Sequence, residues 1–132
     1  MKKLVGVVFG LGLLLSGLLS GRVVRRFVVG GRSMLRAYAP GDRLVVEGVS
    51  YRFRAPRIGE VVVVRQPGAD GRLDLKRIAA GPGAEVTVRG APDFLGNQEW
   101  YVLGDNLDES TDSRELGPVQ TGDVVGRVWF RY

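Results

Sequence analysis

Residues 61–78 read VVVVRQPGADGRLDLKRI. Four valines in a row and the alternating Leu73-Asp74-Leu75-Lys76-Arg77-Ile78 flank a short loop of Pro and Gly. β-branched runs interrupted by turn formers predict a β-hairpin of Val61–Arg65 with Leu73–Ile78. Strand alternation then puts Lys76 on the face opposite Leu73, Leu75 and Arg77, with Asp74 and Ile78 as its companions.

The same texture continues in both directions. Short β-rich runs fall at Phe27–Val29, Leu44–Val46, Glu85–Val88, Trp100–Leu103 and Val124–Arg131. Between them lie Pro40-Gly41-Asp42, Gly81-Pro82-Gly83 and Gly104-Asp105-Asn106. Seven short strands without an amphipathic helix predict an all-β domain, barrel or sandwich, over residues 22–132. Residues 4–21 carry no charge and follow Met1-Lys2-Lys3. As a helix they reach about 27 Å, close to the hydrocarbon thickness of a bilayer. One N-terminal transmembrane helix over residues 1–21 is expected; a cleaved signal peptide is the competitor, but no clear Ala-x-Ala site follows. Arg22, Arg25 and Arg26 come next, where they suit anionic lipid headgroups. Positive charges flank the segment on both sides, so charge alone does not orient it.

Composition removes whole classes of chemistry. The chain of 132 residues has no Cys and no His, which excludes disulfides, thiol nucleophiles, Ser-His-Asp triads and the usual zinc sites. Proton transfer falls to carboxylates, Lys or Tyr. The net charge of +5 is spread along the chain, and no basic run alternates with aromatics, so no nucleic-acid partner is expected. Beyond residue 3 there are sixteen Arg and one Lys, Lys76. Arg keeps its proton in proteins, whereas a desolvated Lys can lose it, which makes Lys76 a candidate base.

Three segments carry the remaining signal. Gly30-Gly31-Arg32-Ser33-Met34 precedes Gly41-Asp42. Lys76-Arg77-Ile78 precedes Pro82-Gly83. The polar stretch Gly104-Asp105-Asn106 leads to Ser110 and Asp112-Ser113-Arg114. The acidic spacing of the third does not match a calcium loop, and no metal or cofactor is assigned. In this order the three resemble the nucleophile, lysine and downstream boxes of the bacterial type I signal peptidases, and the resemblance runs over essentially the whole chain. Arg36 stands where the family usually has Pro, Gly31 where some members have a Ser that assists the oxyanion hole, and Leu107 where a basic residue is common.

The resemblance implies a membrane-anchored serine endopeptidase with Ser33 as nucleophile and Lys76 as general base. Ser110 would hydrogen-bond Lys76, Asp112 and Arg114 would form a structural ion pair, and the Ser33 N–H would face the oxyanion. Gly31, Arg32, Met34, Asp74 and Leu75 would contact substrate, an exported preprotein cut after small residues of the Ala-x-Ala type and bound as an extended strand. The implied setting is the plasma membrane, single-pass, with the catalytic domain on the outer side, acting as a monomer. A dedicated protease for one precursor and an inactive membrane-tethered β domain are the alternatives. For Met34, ordinary core packing competes with contact to substrate or membrane.

Overall fold

The computed structural model describes residues 24–68 and 70–132. The expected anchor at 1–21 lies outside the described residues. Among those described, no helix is long and apolar enough to cross a membrane.

The described residues form nine strands: β1 Val24–Val28, β2 Arg43–Glu47, β3 Val61–Arg65, β4 Leu73–Ala80, β5 Glu85–Val88, β6 Ala91–Phe94, β7 Glu99–Leu103, β8 Val119–Gln120 and β9 Val124–Arg131. Seven form one antiparallel sheet in the order β1-β2-β9-β3-β4-β7-β8, and β5-β6 is a separate hairpin. The predicted hairpin is present, with Val62 opposite Lys76 and Val63 opposite Leu75.

Val62, Val63 and Val64 are all fully buried, because β3 is central and covered on both faces. Alternation sends Val62 and Val64 into one apolar cluster with Ile78, Trp100, Val102, Val119 and Val124. Val63 enters a second cluster with Val29, Met34, Leu44, Val46 and Leu75. A continuous valine run is what a strand buried on both faces requires. Register shifts in the β2–β9, β3–β9 and β4–β7 pairings mark bulges, which bend strands and let the sheet wrap these cores. Close approach requires glycine at position 126: a Cβ there would fall 2.6 Å from the Glu47 carbonyl oxygen of the neighbouring strand.

The strand count exceeds the expected seven by two. β6 contains Pro92 and is exposed at all four positions, and β8 has two residues, so neither carries an apolar alternation. A four-residue helix, α1 Ser113–Leu116, also appears where no helix was expected, and it is too short to show a helical period.

Candidate active site

The loop between β1 and β2 carries Ser33. Backbone pairing continues past β1, with Val29 N–H donating to Asp42 (2.9 Å) and Gly41 N–H to Val29 (2.8 Å), so residues 30–40 project as one loop. Val29 and Met34 are both buried and hold this loop from within, one on each side of Ser33. The turn after Met34 closes by Tyr38 N–H donating to Met34 O at 2.9 Å; within it the Leu35–Arg36 peptide is cis. Asp42 caps the loop's end, accepting from Ala39 N–H and from Arg131 at 2.9 Å each.

Lys76 sits on β4 beside that loop and is only 3% exposed. Its Nζ lies 2.9 Å from Ser33 Oγ. Burial lowers the Lys76 pKa from the usual lysine value, against the opposing pull of Asp74 and Asp112. This is the buried lysine of the predicted hairpin, not a surface lysine of a half-exposed strand.

A second loop, residues 104–112, closes over the first. Gly104 N–H and Ser110 Oγ donate to Asp112 Oδ2 at 3.0 and 2.7 Å, and Arg114 Nε donates to Oδ1 at 2.9 Å. Burial pushes Asp112 upward, but these hydrogen bonds outweigh it and hold the carboxyl below its usual range. Asp112 has 0% exposure, so the expected ion pair with Arg114 is present and inaccessible on its carboxylate side. The expected hydrogen bond from Ser110 to Lys76 is not formed: the Ser110 hydroxyl is given to Asp112, and among the described residues Lys76 Nζ bonds only Ser33. A Cβ on Gly104 would lie 2.2 Å from Ser110 Oγ and 2.7 Å from Ser33 O, so only glycine lets the two loops meet.

The loops are clasped at three further points. Asn106 N–H donates to Ser33 O at 2.8 Å, and its Nδ2 donates to Arg32 O at 3.1 Å. Arg32 and Glu109 form an ion pair at 2.7 Å. Arg77 of β4 separately ties the second loop to the sheet, with two bonds of 2.8 and 2.9 Å to Asp105. Sequence reasoning quoted Asn106 without giving it a role, and it passed over Glu109; contacts across more than seventy residues leave no local signal.

Ser33 and Lys76 border a groove of about 430 Å³. Residues 27–33 form one wall and residues 72–76 the other, with Glu109 and Thr111 at one side. Gly31, Arg32, Asp74 and Leu75 line it as expected. Met34 does not: it is fully buried beneath Ser33, because an unbranched apolar chain fills the core there. Both walls present strand edges. Among the described residues, β1 pairs only with β2, and β4 pairs with β7 only from Arg77 onward, so an extended peptide can lie between them.

A serine in hydrogen-bond contact with a buried amine, set in a groove bounded by strand edges, is an arrangement suited to peptide-bond hydrolysis. The chain belongs to the signal peptidase family, peptidase S26, matching it over residues 2–95 and 93–132. It is 30% identical to a protein named probable signal peptidase I-1 of Synechocystis, over 91% of this chain and 79% of that one. It is 36% identical to the mitochondrial ATP-independent inner membrane protease subunit 1a of Arabidopsis thaliana, over 78% of this chain and 67% of that one. Similarity to the thylakoidal processing peptidase 1 of the same plant is 30% over 76% of this chain but only 39% of the relative. The chain therefore spans less than half the length of that relative.

Proposed function

We propose that this chain is a membrane-anchored signal peptidase that cleaves exported preproteins after small residues, with Ser33 as nucleophile and Lys76 as general base. The observation that carries the reading is the 2.9 Å contact between Ser33 Oγ and the buried Lys76 Nζ in a chain with no histidine. A neutral amine at that distance can accept the hydroxyl proton as Oγ attacks the scissile carbonyl. Burial favours the neutral form, and a bound peptide covering the groove would dry the site further. The collapsing tetrahedral intermediate then receives the proton from Lys76 on its leaving amine, and water repeats the cycle on the acyl-enzyme.

Substrate enters as a strand between residues 27–33 and 72–76, placing its scissile bond at Ser33. Asp112 and Arg114 serve this arrangement by holding the second loop, and Ser110 acts through Asp112. Two relatives are named for the thylakoid and the mitochondrial inner membrane, which supports a membrane setting; the anchor in residues 1–21 and a domain on the outer face of the plasma membrane complete the same reading.

The test is cleavage of a preprotein carrying an Ala-x-Ala site by the full chain in detergent or vesicles. Wild type is expected to cut, while Ser33→Ala, Lys76→Ala and Lys76→Arg are inactive at neutral pH. Turnover by Lys76→Arg would sink the general-base role, because Arg does not deprotonate. Full activity of Ser33→Ala would sink the nucleophile.

A further inference from the structure

The peptide joining Arg32 to Ser33 is held in a way that the Ser–Lys contact does not require. Its carbonyl, Arg32 O, accepts from Asn106 Nδ2 at 3.1 Å. The second hydrogen on Nδ2 goes to Glu109 Oε2 at 3.2 Å, and that oxygen also receives Arg32 Nε at 2.7 Å. Both partners of the Asn106 carboxamide on this side are acceptors, so its nitrogen, not its oxygen, must face them. The result is a closed ring running from Arg32 O through Asn106 and Glu109 to the Arg32 side chain.

In a trans peptide the C=O and the following N–H point in opposite directions. The Arg32–Ser33 peptide is trans. Asn106 lines a separate depression with Arg32, Leu35 and Arg36, and it does not line the groove. Ser33 N–H, on the opposite side of the peptide from Asn106, donates to no acceptor among the described residues. Gly31 leaves no side-chain donor at the position two residues before Ser33.

We infer that Asn106 is a positioning residue for the oxyanion site: by donating to Arg32 O it fixes and polarises the peptide whose other end is the Ser33 N–H. A hydrogen bond to a carbonyl strengthens the donor at the far end of the same amide. It also spares the chain the rotation that would otherwise accompany charge development. The inference rests on Ser33 being the nucleophile.

The test compares wild type, Asn106→Ala and the near-isosteric Asn106→Asp, which cannot donate to Arg32 O. The full chain is assayed for preprotein cleavage and for binding of two peptides of one sequence, one ending in an aldehyde and one in the corresponding alcohol. The aldehyde adds reversibly to Ser33 Oγ and sets its oxygen where the oxyanion forms; the alcohol does not react. Removing a whole oxyanion donor costs about 100- to 1000-fold in kcat, and loosening one should cost about 10- to 100-fold. We expect kcat to fall by that amount in both variants, KM and the alcohol's affinity to stay within about twofold, and aldehyde affinity to fall in step with kcat. The limb of the pH profile belonging to Lys76 should not move. Glu109→Ala, at a groove-side residue whose side chain is 46% exposed, should lower kcat and the ratio of aldehyde to alcohol affinity at smaller size, and it answers for the case in which an Asn106 variant fails to fold. Unchanged kcat, equal loss of both peptides, or a shifted pH limb would each overturn the inference. Cleavage by Ser33→Ala in the same assay would instead overturn the nucleophile on which it rests.

Discussion

Removing the Asp112 carboxylate should cost the protein a large share of its stability. In the fold this group accepts five hydrogen bonds: from Gly104 N–H, Ser110 Oγ, Arg114 N–H, Arg114 Nε and Arg114 Nη2. Asp112→Ala leaves the buried Gly104 N–H and Ser110 hydroxyl without this acceptor, at about 1–3 kcal/mol each. Arg114 contributes less, since its side chain is 36% exposed and keeps the carbonyls of Leu107 and Ser110 at 2.8 and 3.1 Å. Breaking a buried pair of this kind costs about 3–5 kcal/mol, against a total near 5–15 kcal/mol for a domain. Asp112→Asn, which keeps one acceptor oxygen, should lose about half as much. Urea unfolding followed by tryptophan fluorescence measures both, and the slope should stay constant. The sign of the pH effect follows from the lowered folded pKa. The carboxylate's contribution is full above the ordinary value of 3.8 and fades as pH falls through the lower folded value. The gap between wild type and Asp112→Asn should therefore hold from pH 8 to about 5 and narrow only in stronger acid. A loss for Asp112→Ala below about 1 kcal/mol at pH 7, or a gap that does not narrow, would refute this account of the loop.

Two further substitutions probe the site from other directions. Lys76→Met keeps the length of the side chain and removes a charge that burial opposes, so it should stabilise at pH 7 by about 1–3 kcal/mol while abolishing cleavage. Because the folded lysine holds its proton less tightly than the unfolded one, wild-type stability rises with pH between the two values, and the advantage of Lys76→Met should vanish as pH approaches 10.5; thermal unfolding across pH checks this, and a variant destabilised at pH 7 would contradict it. Gly104→Ala would put a Cβ 2.5 Å from Ser110 Cβ and 2.7 Å from Ser33 O, so the loops must part by roughly 1 Å. A loss of about 1–3 kcal/mol in urea unfolding and a drop in kcat of about 100-fold are expected, and a variant with full activity would show that the loops need not touch.

Lys76 was legible because its evidence is local. Strand alternation, one short loop and an isolated lysine among arginines place the amine on a defined face of the hairpin, and the register of β3 with β4 agrees. Serine 33 is different: its surroundings depend on a loop of eleven residues whose shape no period encodes. Met34 shows the cost of reading such a loop by adjacency, since the residue next to Ser33 points into the core. Ser110 shows a second limit. Its place in the polar stretch does not tell which neighbour it meets, and in the structure its hydroxyl donates to Asp112. The Asn106 clasp joins positions 74 apart in the chain, so only the folded arrangement reveals it.

The arginine bias and the lone lysine belong to one arrangement. Asp74, Asp105, Glu109 and Asp112 all lie on β4 or the loop beside it, and Asp74 and Asp112 pull Lys76 towards its charged form. Each is matched to an arginine: Asp74 to Arg72 at 3.4 Å, Asp105 to Arg77 at 2.8 Å, Glu109 to Arg32 at 2.7 Å and Asp112 to Arg114 at 2.9 Å. Guanidinium suits this task because it binds carboxylate through several donors and does not release its proton. A carboxylate so engaged has less field and fewer lone pairs to offer Lys76, so desolvation decides the lysine's charge. Were one of these acids left unmatched within reach of Nζ, it would stabilise the ammonium and remove the base. On the proposed mechanism the base therefore depends on burial and on two ion pairs, Arg72 with Asp74 and Arg114 with Asp112, in which Lys76 takes no part.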